Sequence, residues 1–243
     1  MIIAANLKTN LTRAKTISYL NKVERFIEKN SITQEVLVFP ATSSLVKHQA
    51  GIKVGAQNAY PAINGAFTGE IGYEQLEEFE IKTILIGHSE RRHVMGETQE
   101  ELVKKFNFYK ELGFRIVYCV GEPLSVRESG HDKMMEYISR QYEGIDVMYK
   151  NLIVAYEPVW AIGSGLTPTP EDIVTIHKEL KTKSTAPLLY GGSVKVTNVQ
   201  EVLSLDGVDG VLVGSAALYA EHFCSMCESA QLLEKKINNK KES

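Results

Sequence analysis

Hydrophobic and polar residues alternate along this chain in blocks rather than singly. Eight short runs are almost continuously apolar and rich in β-branched residues, which is typical of parallel strands covered on both faces. Longer stretches with helical spacing separate these runs. We therefore predict eight strands, each followed by helix, over residues 2–6, 36–39, 52–56, 83–87, 115–120, 152–156, 187–190 and 208–213.

The intervening stretches carry both the face pattern and the start signals of helices. Leu102, Phe106 and Tyr109 recur at a spacing that places them on one helix face. Thr98 followed three residues later by Glu101 is a capping signal. Eight strand–helix pairs in 243 residues fit an α/β fold of the (β/α)8 barrel type better than an open doubly wound sheet. The pattern alone leaves the open sheet possible.

Composition narrows the class of protein without identifying it. Residues are 44% hydrophobic and 23% charged, the formal net charge is -3, and no apolar run reaches membrane-spanning length. We expect a cytoplasmic protein without nucleic-acid or membrane partners, because nothing resembles a signal peptide and nothing supplies a basic surface. No linker divides the chain, so we predict a single domain over 1–243 whose polar tail, 235–243, is frayed.

The three cysteines do not suggest a disulfide framework. Cys119 ends a strand-like run and is interpreted as a small buried residue. Cys224 and Cys227 form a lone CxxC pair two residues after His222, which is weak evidence for a metal site. Ordinary helix packing is the preferred interpretation, and adventitious metal binding there stays open.

Polar residues follow the strands at the end where a barrel gathers its loops. In a parallel barrel the segments after each strand converge on one face, so we expect these residues to share a rim. The strand-end residues are Asn6, Lys8, His88, Glu157, Gly191, Gly192, Ser193, Gly214 and Ser215.

Each of these residues also has an ordinary interpretation. Lys8 alone would be a solvated loop lysine, His88 a helix cap, and Glu157 the cap of a strand. A carboxylate after a fully apolar strand lies in a medium of low dielectric, so we expect the pKa of Glu157 to be raised. The glycine loops after strands seven and eight expose backbone N–H groups, an arrangement typical of phosphate binding.

Several ordered motifs together resemble the triosephosphate isomerase family over nearly the whole chain. Their order and approximate spacing both agree with that family. The motifs are Asn6-Leu7-Lys8-Thr9-Asn10, Ala56-Gln57-Asn58, Asn64-Gly65-Ala66-Phe67-Thr68-Gly69-Glu70, Gly87-His88-Ser89-Glu90-Arg91-Arg92, Cys119-Val120-Gly121-Glu122, Tyr156-Glu157-Pro158-Val159-Trp160-Ala161-Ile162-Gly163-Ser164-Gly165 and Tyr190-Gly191-Gly192-Ser193-Val194.

The resemblance implies a reaction and a set of roles. The reaction interconverts dihydroxyacetone phosphate and D-glyceraldehyde 3-phosphate through an enediolate, in glycolysis and gluconeogenesis. As established for this family, Glu157 would be the base, and His88, kept neutral by a helix N-terminus, would polarise the carbonyl. Lys8 and Asn6 would stabilise charge on the same oxygens. Glu90 would have a secondary positioning or proton-transfer role, the alternative being a salt bridge to a neighbouring arginine. No metal or organic cofactor is implied.

The resemblance also implies a phosphate site, a lid and a second subunit. Backbone N–H groups of Gly163, Ser193, Gly214 and Ser215 would bind the phosphate. The loop 57–72 would dock into a partner in a homodimer, with Thr68 and Glu70 reaching its active-site rim. The lid would comprise Pro158, Val159, Trp160, Ala161, Ile162, Gly163, Ser164, Gly165, Leu166, Thr167 and Pro168.

Among the departures from the family pattern, two concern the phosphate site and the lid. Ser215 stands where a second glycine is usual, which would strain the backbone if that position needs positive φ. Pro168 stands where the family's closed lid offers a backbone N–H to the tyrosine matching Tyr190. Because proline has no N–H, we predict a less favoured closed lid with activity retained.

Two other functions compete with this interpretation. The first is another phosphosugar barrel, such as an aldolase or an epimerase; a Schiff-base aldolase needs a lysine in the middle of a late strand, and strands five to eight carry none. The second is a catalytically silent phosphosugar-binding or interaction protein. The joint presence of Lys8, His88 and Glu157 argues against a catalytically silent protein.

Overall fold

The computed structural model describes residues 1–48, 50–162 and 166–241, and its strands form one parallel sheet. Their hydrogen-bonded order is β3-β2-β1-β8-β7-β6-β5-β4. A parallel bridge between Ala56 and Ile84 joins the two outer strands, so the sheet is a nearly closed barrel. The predicted (β/α)8 barrel is confirmed, and the open sheet is wrong. The strands are β1 Ile2–Asn6, β2 Glu35–Phe39, β3 Ile52–Val54, β4 Thr83–Ile86, β5 Arg115–Val120, β6 Leu152–Tyr156, β7 Leu188–Tyr190 and β8 Gly210–Val213.

Helices surround the barrel, as the apolar spacing predicts. Leu102, Phe106 and Tyr109 are all buried, and Thr98 and Glu101 form a reciprocal capping box. The α-helices are α1 Arg13–Lys29, α2 Tyr73–Glu78, α3 Ser89–His93, α4 Gln99–Glu111, α5 Leu124–Arg127, α6 His131–Arg140, α7 Pro170–Lys183, α8 Val199–Ser204 and α9 Ala220–Lys241. Short 3-10 helices cover Thr42–Ser44, Val159–Ala161 and Ser215–Leu218.

The sequence predictions miss at the ends of some elements. Strand β3 stops at Val54, two residues before the predicted end, and β8 begins at Gly210, two residues after the predicted start. The tail expected to be frayed is helical as far as Lys241. No glycine or proline interrupts the polar residues that precede Lys241, so α9 has no sequence signal to stop it earlier.

Alternation along the strands separates two hydrophobic cores. One set of strand residues fills the barrel interior, and the other packs outward against the helices. In β1, Ile2 and Ala4 belong to the interior, whereas Ile3 and Ala5 belong to the outer layer. The interior residues are Ile2, Ala4, Leu37, Phe39, Leu85, Val117, Cys119, Ile153, Ala155, Leu189 and Leu212.

The same alternation carries polar residues to the top of the interior. Side chains two residues apart in a strand point to the same face. Asn6 therefore continues the line of Ala4, and Glu157 continues the line of Ala155. Both side chains are buried at the carboxyl ends of their strands, Asn6 with 5% and Glu157 with 2% of its surface exposed. Strand periodicity thus positions the candidate site.

Candidate active site

The strand-end residues surround one cavity of about 280 Å³ at the carboxyl ends of the strands. The expectation that they share a rim is confirmed for all of them. The cavity is lined by Asn6, Lys8, His88, Glu157, Ile162, Gly191, Gly192, Ser193, Val194, Lys195, Leu212, Gly214, Ser215 and Ala216. Gly163, the remaining predicted phosphate residue, lies outside the described residues together with Ser164 and Gly165.

Glu157 and His88 face each other directly. Glu157 Oε1 lies 3.0 Å from His88 Nε2, and Glu157 Oε2 accepts a hydrogen bond from the Ser89 N–H at 2.8 Å. Gly121 makes room for this arrangement, because a Cβ built on it would lie 1.7 Å from the Glu157 carbonyl oxygen. The carboxylate is therefore held by two donors at the end of β6.

The pKa of Glu157 is lowered, so the expected rise is wrong. Burial by itself raises the pKa of this carboxyl group. The facing His88, the Ser89 N–H and Lys8 together lower that pKa by more. The sequence shows the apolar strand but not the donors, which come from residues far away along the chain.

His88 begins α3 and uses both ring nitrogens. The Glu90 N–H donates to His88 Nδ1 at 3.2 Å, which assigns the proton of the neutral ring to Nε2. Burial lowers the pKa of His88, but the Glu157 carboxylate raises it by more, so the net direction is upward. The helix N-terminus is therefore not the only influence on His88, because the facing Glu157 carboxylate favours the protonated ring.

Lys8 reaches the site from a strained backbone. Its φ of 51° lies in the left-handed region, which costs a residue with a side chain about 1–2 kcal/mol. The Asn6 side chain accepts the Lys8 N–H at 3.0 Å, and the Gln57 amide donates to the Lys8 carbonyl at 2.8 Å. Both bonds hold the lysine in the orientation that points its ammonium into the cavity.

Glu90 pairs with Lys8 rather than with an arginine. Its Oε1 lies 2.6 Å from Lys8 Nζ, so the arginine salt bridge considered as the alternative is wrong. This pairing sets the position of the Lys8 ammonium and partly neutralises it. The sequence placed Glu90 near His88 but gave no sign of a partner 82 residues away.

Ser215 fits its position without strain. It opens the 3-10 helix Ser215–Leu218, and it is not among the residues with positive φ. The cost considered for serine in place of glycine therefore does not arise. Gly214 has a close neighbour instead, since a Cβ built there would lie 3.4 Å from Lys8 Cε.

The leading end of the lid is anchored by a residue to which the sequence assigned no role. Glu122 Oε1 accepts hydrogen bonds from Trp160 Nε1 at 2.9 Å and from the Tyr156 hydroxyl at 3.1 Å. Glu122 is fully buried, and burial raises its pKa. Its position in the motif Cys119-Val120-Gly121-Glu122 was the only available signal.

The trailing end of the lid lacks the bond that the family pattern would give it. Pro168 is buried and has no N–H to donate. The Tyr190 hydroxyl is also buried and forms no hydrogen bond with any described residue. Its neighbours are close, since a Cβ built on Gly192 would lie 2.2 Å from that hydroxyl.

The cysteines near the C-terminus do not converge with His222. Cys224 and Cys227 are buried in the outer core, whereas His222 is exposed and stacks beside Tyr219 with ring centroids 5.2 Å apart. Within the described ranges, no three His, Cys, Asp or Glu side chains are grouped as metal ligands would be. Cys119 is buried, as predicted.

Comparison with known proteins decides the family. Residues 1–230 match the family described as triosephosphate isomerase. A protein of that name from Sulfurimonas denitrificans is 75% identical over 99% of this chain and 100% of its own length. Those from Sulfurovum sp. and Nitratiruptor sp. are 51% and 48% identical over 93% and 95% of this chain, and over 99% of their own lengths.

The chain belongs to the triosephosphate isomerase family. It is an isomerase that interconverts dihydroxyacetone phosphate and D-glyceraldehyde 3-phosphate, a step of glycolysis, on the TIM-barrel fold. Its substrate is therefore a small triose phosphate. In the part of the chain that the structure covers, no helix has both the length and the hydrophobicity of a membrane span.

Proposed function

We propose that Glu157 is the base of this isomerase and that His88, Lys8 and Asn6 stabilise the enediolate. The observation that carries the proposal is the 3.0 Å contact between Glu157 and His88 inside the cavity that also contains Lys8 and Asn6. A base for a carbon-bound proton and a donor for the adjacent oxygen must lie on either side of one small substrate. These four side chains have the chemistry for that task, and the substrate would replace the direct contact between Glu157 and His88.

Substrate binding changes the state of Glu157. Each carboxylate oxygen of Glu157 already has a partner, His88 Nε2 for Oε1 and the Ser89 N–H for Oε2. When the substrate carbonyl accepts the hydrogen bond from His88 Nε2, Glu157 loses a contact that lowers the pKa of its carboxyl group. Burial then raises the pKa of the carboxylate and makes it a stronger base, next to the carbon from which it removes the proton.

The oxygens of the enediolate are stabilised by groups that are already in place. Neutral His88 donates from Nε2 and can pass a proton between the two oxygens, as established for this family. The Lys8 ammonium adds positive charge and Asn6 adds an amide donor. Removal of one such donor costs about 3 kcal/mol of transition-state stabilisation. Glu90 acts indirectly, by positioning the Lys8 ammonium.

The phosphate occupies the side of the cavity formed by the loops after β7 and β8. Backbone N–H groups of Ser193, Gly214 and Ser215 bind it, together with that of Gly163. Support comes from the presence of Ser193, Gly214 and Ser215 along the cavity wall and from the unstrained backbone of Ser215. No metal or organic cofactor has a part in this scheme.

The segment 158–168 closes over the bound substrate and excludes water. Exclusion of water protects the enediolate, which would otherwise eliminate phosphate. Glu122 anchors the leading end through Trp160. The trailing end is held less firmly, because Pro168 has no N–H for Tyr190. The closed lid is therefore less populated than a lid with that bond would be.

The enzyme acts as a homodimer in which the loop 57–72 docks into the partner. Ile63 and Phe67 of this loop and Val94 and Met95 after α3 expose between 42% and 72% of their surfaces. The loop and the segment after α3 border one cavity of about 340 Å³, to which Glu70 and Met95 both contribute. Thr68 and Glu70 are exposed at the loop, where a partner's rim is within reach.

The proposal also covers the location, the domain organisation and the partners of the enzyme. The enzyme works in the cytoplasm, where glycolysis takes place, and residues 1–243 form a single barrel domain. Neither nucleic acid nor a membrane is a partner.

A coupled isomerase assay of Glu157→Gln tests the role of the base. Glutamine keeps the size and one acceptor oxygen but does not take up a proton. We expect kcat to fall by about 10²–10⁴-fold, the usual contribution of general base catalysis. Glu171→Gln, on the first turn of α7, is the matched control and should retain the activity of the parent. Unchanged activity in Glu157→Gln would contradict the assignment.

A further inference from the structure

One lysine of the cavity has no part in the scheme above. Lys195 follows the glycine loop of β7, two residues after Ser193, and lines the same cavity as Ser193 and Ser215. In the proposed mechanism, the phosphate binds to the N–H groups of those two residues. Its side chain is exposed, so it stands at the mouth of the cavity rather than within the wall.

The backbone of Lys195 is held in place by Asn198. The Asn198 side chain accepts the Lys195 N–H at 2.7 Å and donates to the Ser193 carbonyl at 3.0 Å. The N–H groups of Asn198 and Val199 donate in turn to the Lys195 carbonyl, at 3.2 Å and 3.0 Å. The exposed side chain therefore starts from a fixed backbone position in the loop after β7.

The charge of Lys195 is not offset by a neighbour. Lys8, the other lysine of the cavity, pairs with Glu90 at 2.6 Å. Among the described residues, no carboxylate pairs with Lys195, and its ammonium group has no other hydrogen-bonding partner. With His88 neutral, Lys8 and the two carboxylates Glu90 and Glu157 carry one net negative charge, which Lys195 cancels.

That balance matters because the substrate is an anion. A phosphate monoester carries a charge close to -2 at pH 7, and the whole chain carries a formal charge of -3. Long-range attraction by the whole molecule is therefore not available. Triosephosphate isomerase is an established example of an enzyme near the diffusional ceiling, so its kcat/KM is sensitive to the rate of encounter.

We propose that Lys195 is a steering residue, which attracts the phosphate dianion to the mouth of the cavity and accelerates productive encounter. It acts through its field before the substrate reaches the backbone N–H groups, and it takes no part in proton transfer. The inference rests on the site assignment proposed above. It adds to that assignment a residue that sets kcat/KM and leaves kcat nearly unchanged.

The test compares Lys195→Met with Lys29→Met across ionic strength. Lys29 is exposed at the last residue of α1, the end of that helix opposite the active-site rim, and pairs with no carboxylate of the described residues. Both variants therefore change the net charge equally. At about 0.01 M salt, where the screening length is about 30 Å, we expect kcat/KM of Lys195→Met to fall by about 3–10-fold. Its kcat should stay within about 2-fold of the parent, the range expected when only encounter is affected. Lys29→Met should match the parent in both constants.

The salt dependence separates steering from a direct contact. At about 1 M salt the screening length is about 3 Å, and the parent and Lys195→Met should converge. Lys195→Arg should behave as the parent, and Lys195→Glu should lose more than Lys195→Met. A loss that is the same at both ionic strengths, or a variant that equals Lys29→Met throughout, would overturn the proposal.

If Glu157 is not the base, the assays would give a different result from the one that rejects the steering role. In that case Glu157→Gln would keep the kcat of the parent, whatever the behaviour of Lys195. Loss of kcat in Glu157→Gln combined with no salt-dependent effect in Lys195→Met would retain the site and reject the steering role.

Discussion

At the scale of single residues, electrostatics in this protein is decided by pairs that are distant along the chain. Glu157 illustrates this, because its apolar strand alone predicts a raised pKa. The facing His88, the Ser89 N–H and the charge of Lys8 together reverse that direction. In the proposed mechanism, Glu157 is a well-stabilised carboxylate until substrate binding removes that stabilisation. The residue type and its position at a strand end were enough to locate Glu157 from the sequence. The direction of its pKa shift depends on His88, Ser89 and Lys8, which the sequence does not place beside it.

The buried side chain of His177 should make the folded protein less stable in acid. It is completely buried in α7, its Nδ1 lies 3.0 Å from the Gly207 carbonyl oxygen, and its Nε2 has no partner among the described residues. Burial lowers the pKa of His177 from 6.5 to about 4. Between these values the unfolded chain binds a proton that the folded chain does not. The stability is therefore fully present above about pH 6.5 and is lost as the pH falls towards about 4.

Urea unfolding of the parent and of His177→Gln at fixed protein concentration measures this effect. Over that pH range the parent should lose roughly 3 kcal/mol of unfolding free energy that the variant does not lose, at 1.36 kcal/mol for each pKa unit. The carboxylates are common to both proteins, so their titration cancels in the comparison. Equal losses in the two proteins would show that His177 is not the titrating group.

At the scale of elements, the lid has a firm leading end and a loose trailing end. Trp160 is bound to Glu122, and the Arg127 guanidinium lies 5.6 Å from the centre of its ring. At the trailing end, the corresponding features are Pro168 and the Tyr190 hydroxyl, which has no partner among the described residues. Opening and closing should therefore respond mainly to changes at the trailing end.

Pro168→Ala restores a backbone N–H that Tyr190 can accept. We expect the closed lid to become more populated, by roughly 1 kcal/mol for a typical hydrogen bond. Less enediolate would then be exposed to water, so the variant should release less inorganic phosphate per turnover than the parent. Trp160 is the single tryptophan of the chain, which makes its fluorescence a reporter of lid relaxation.

Tyr190→Phe in the Pro168→Ala background is the control for that bond. The double variant should release as much phosphate per turnover as the parent, because the acceptor is missing. If Pro168→Ala alone shows the same phosphate release and the same fluorescence relaxation as the parent, the proline does not set the lid equilibrium.

The sequence predicted elements well where local signals decide them. The apolar runs found all eight strands, and Thr98 with Glu101 marked the start of α4. Predictions failed where no local signal exists. Nothing local shows the left-handed backbone of Lys8, which Gln57 and Asn6 hold from other positions in the chain. The partner of Glu90 and the anchoring role of Glu122 are likewise visible only in three dimensions.

At the scale of the whole molecule, the exposed apolar residues near the active site predict assembly. Ile63, Phe67, Val94 and Met95 lie on the loop 57–72 and on the segment after α3. Isolated exposed apolar residues are common on monomers, but a loop this long without regular structure usually has a function. A second subunit would cover these residues and bring Thr68 and Glu70 to its active-site rim.

Met95→Glu tests the proposed dimer. Met95 exposes 69% of its surface in the isolated chain, so glutamate should be tolerated in the monomer but destabilise an apolar interface. Sedimentation of the parent should give twice the mass of the chain, 27.1 kDa, and sedimentation of the variant should shift towards one copy. Met148→Glu, at a site that is 72% exposed and far along the sequence, is the matched control. A monomeric parent would contradict the proposal.

The central claim is that Glu157 moves the carbon-bound proton. Isomerisation in D2O, followed by proton NMR of the substrate and product carbons, tests it most directly. The parent should incorporate deuterium at the carbon that exchanges its proton through the enediolate, whereas Glu157→Gln should slow both incorporation and isomerisation by about 10²–10⁴-fold. Deuterium incorporation in Glu157→Gln at the rate of the parent would contradict the account.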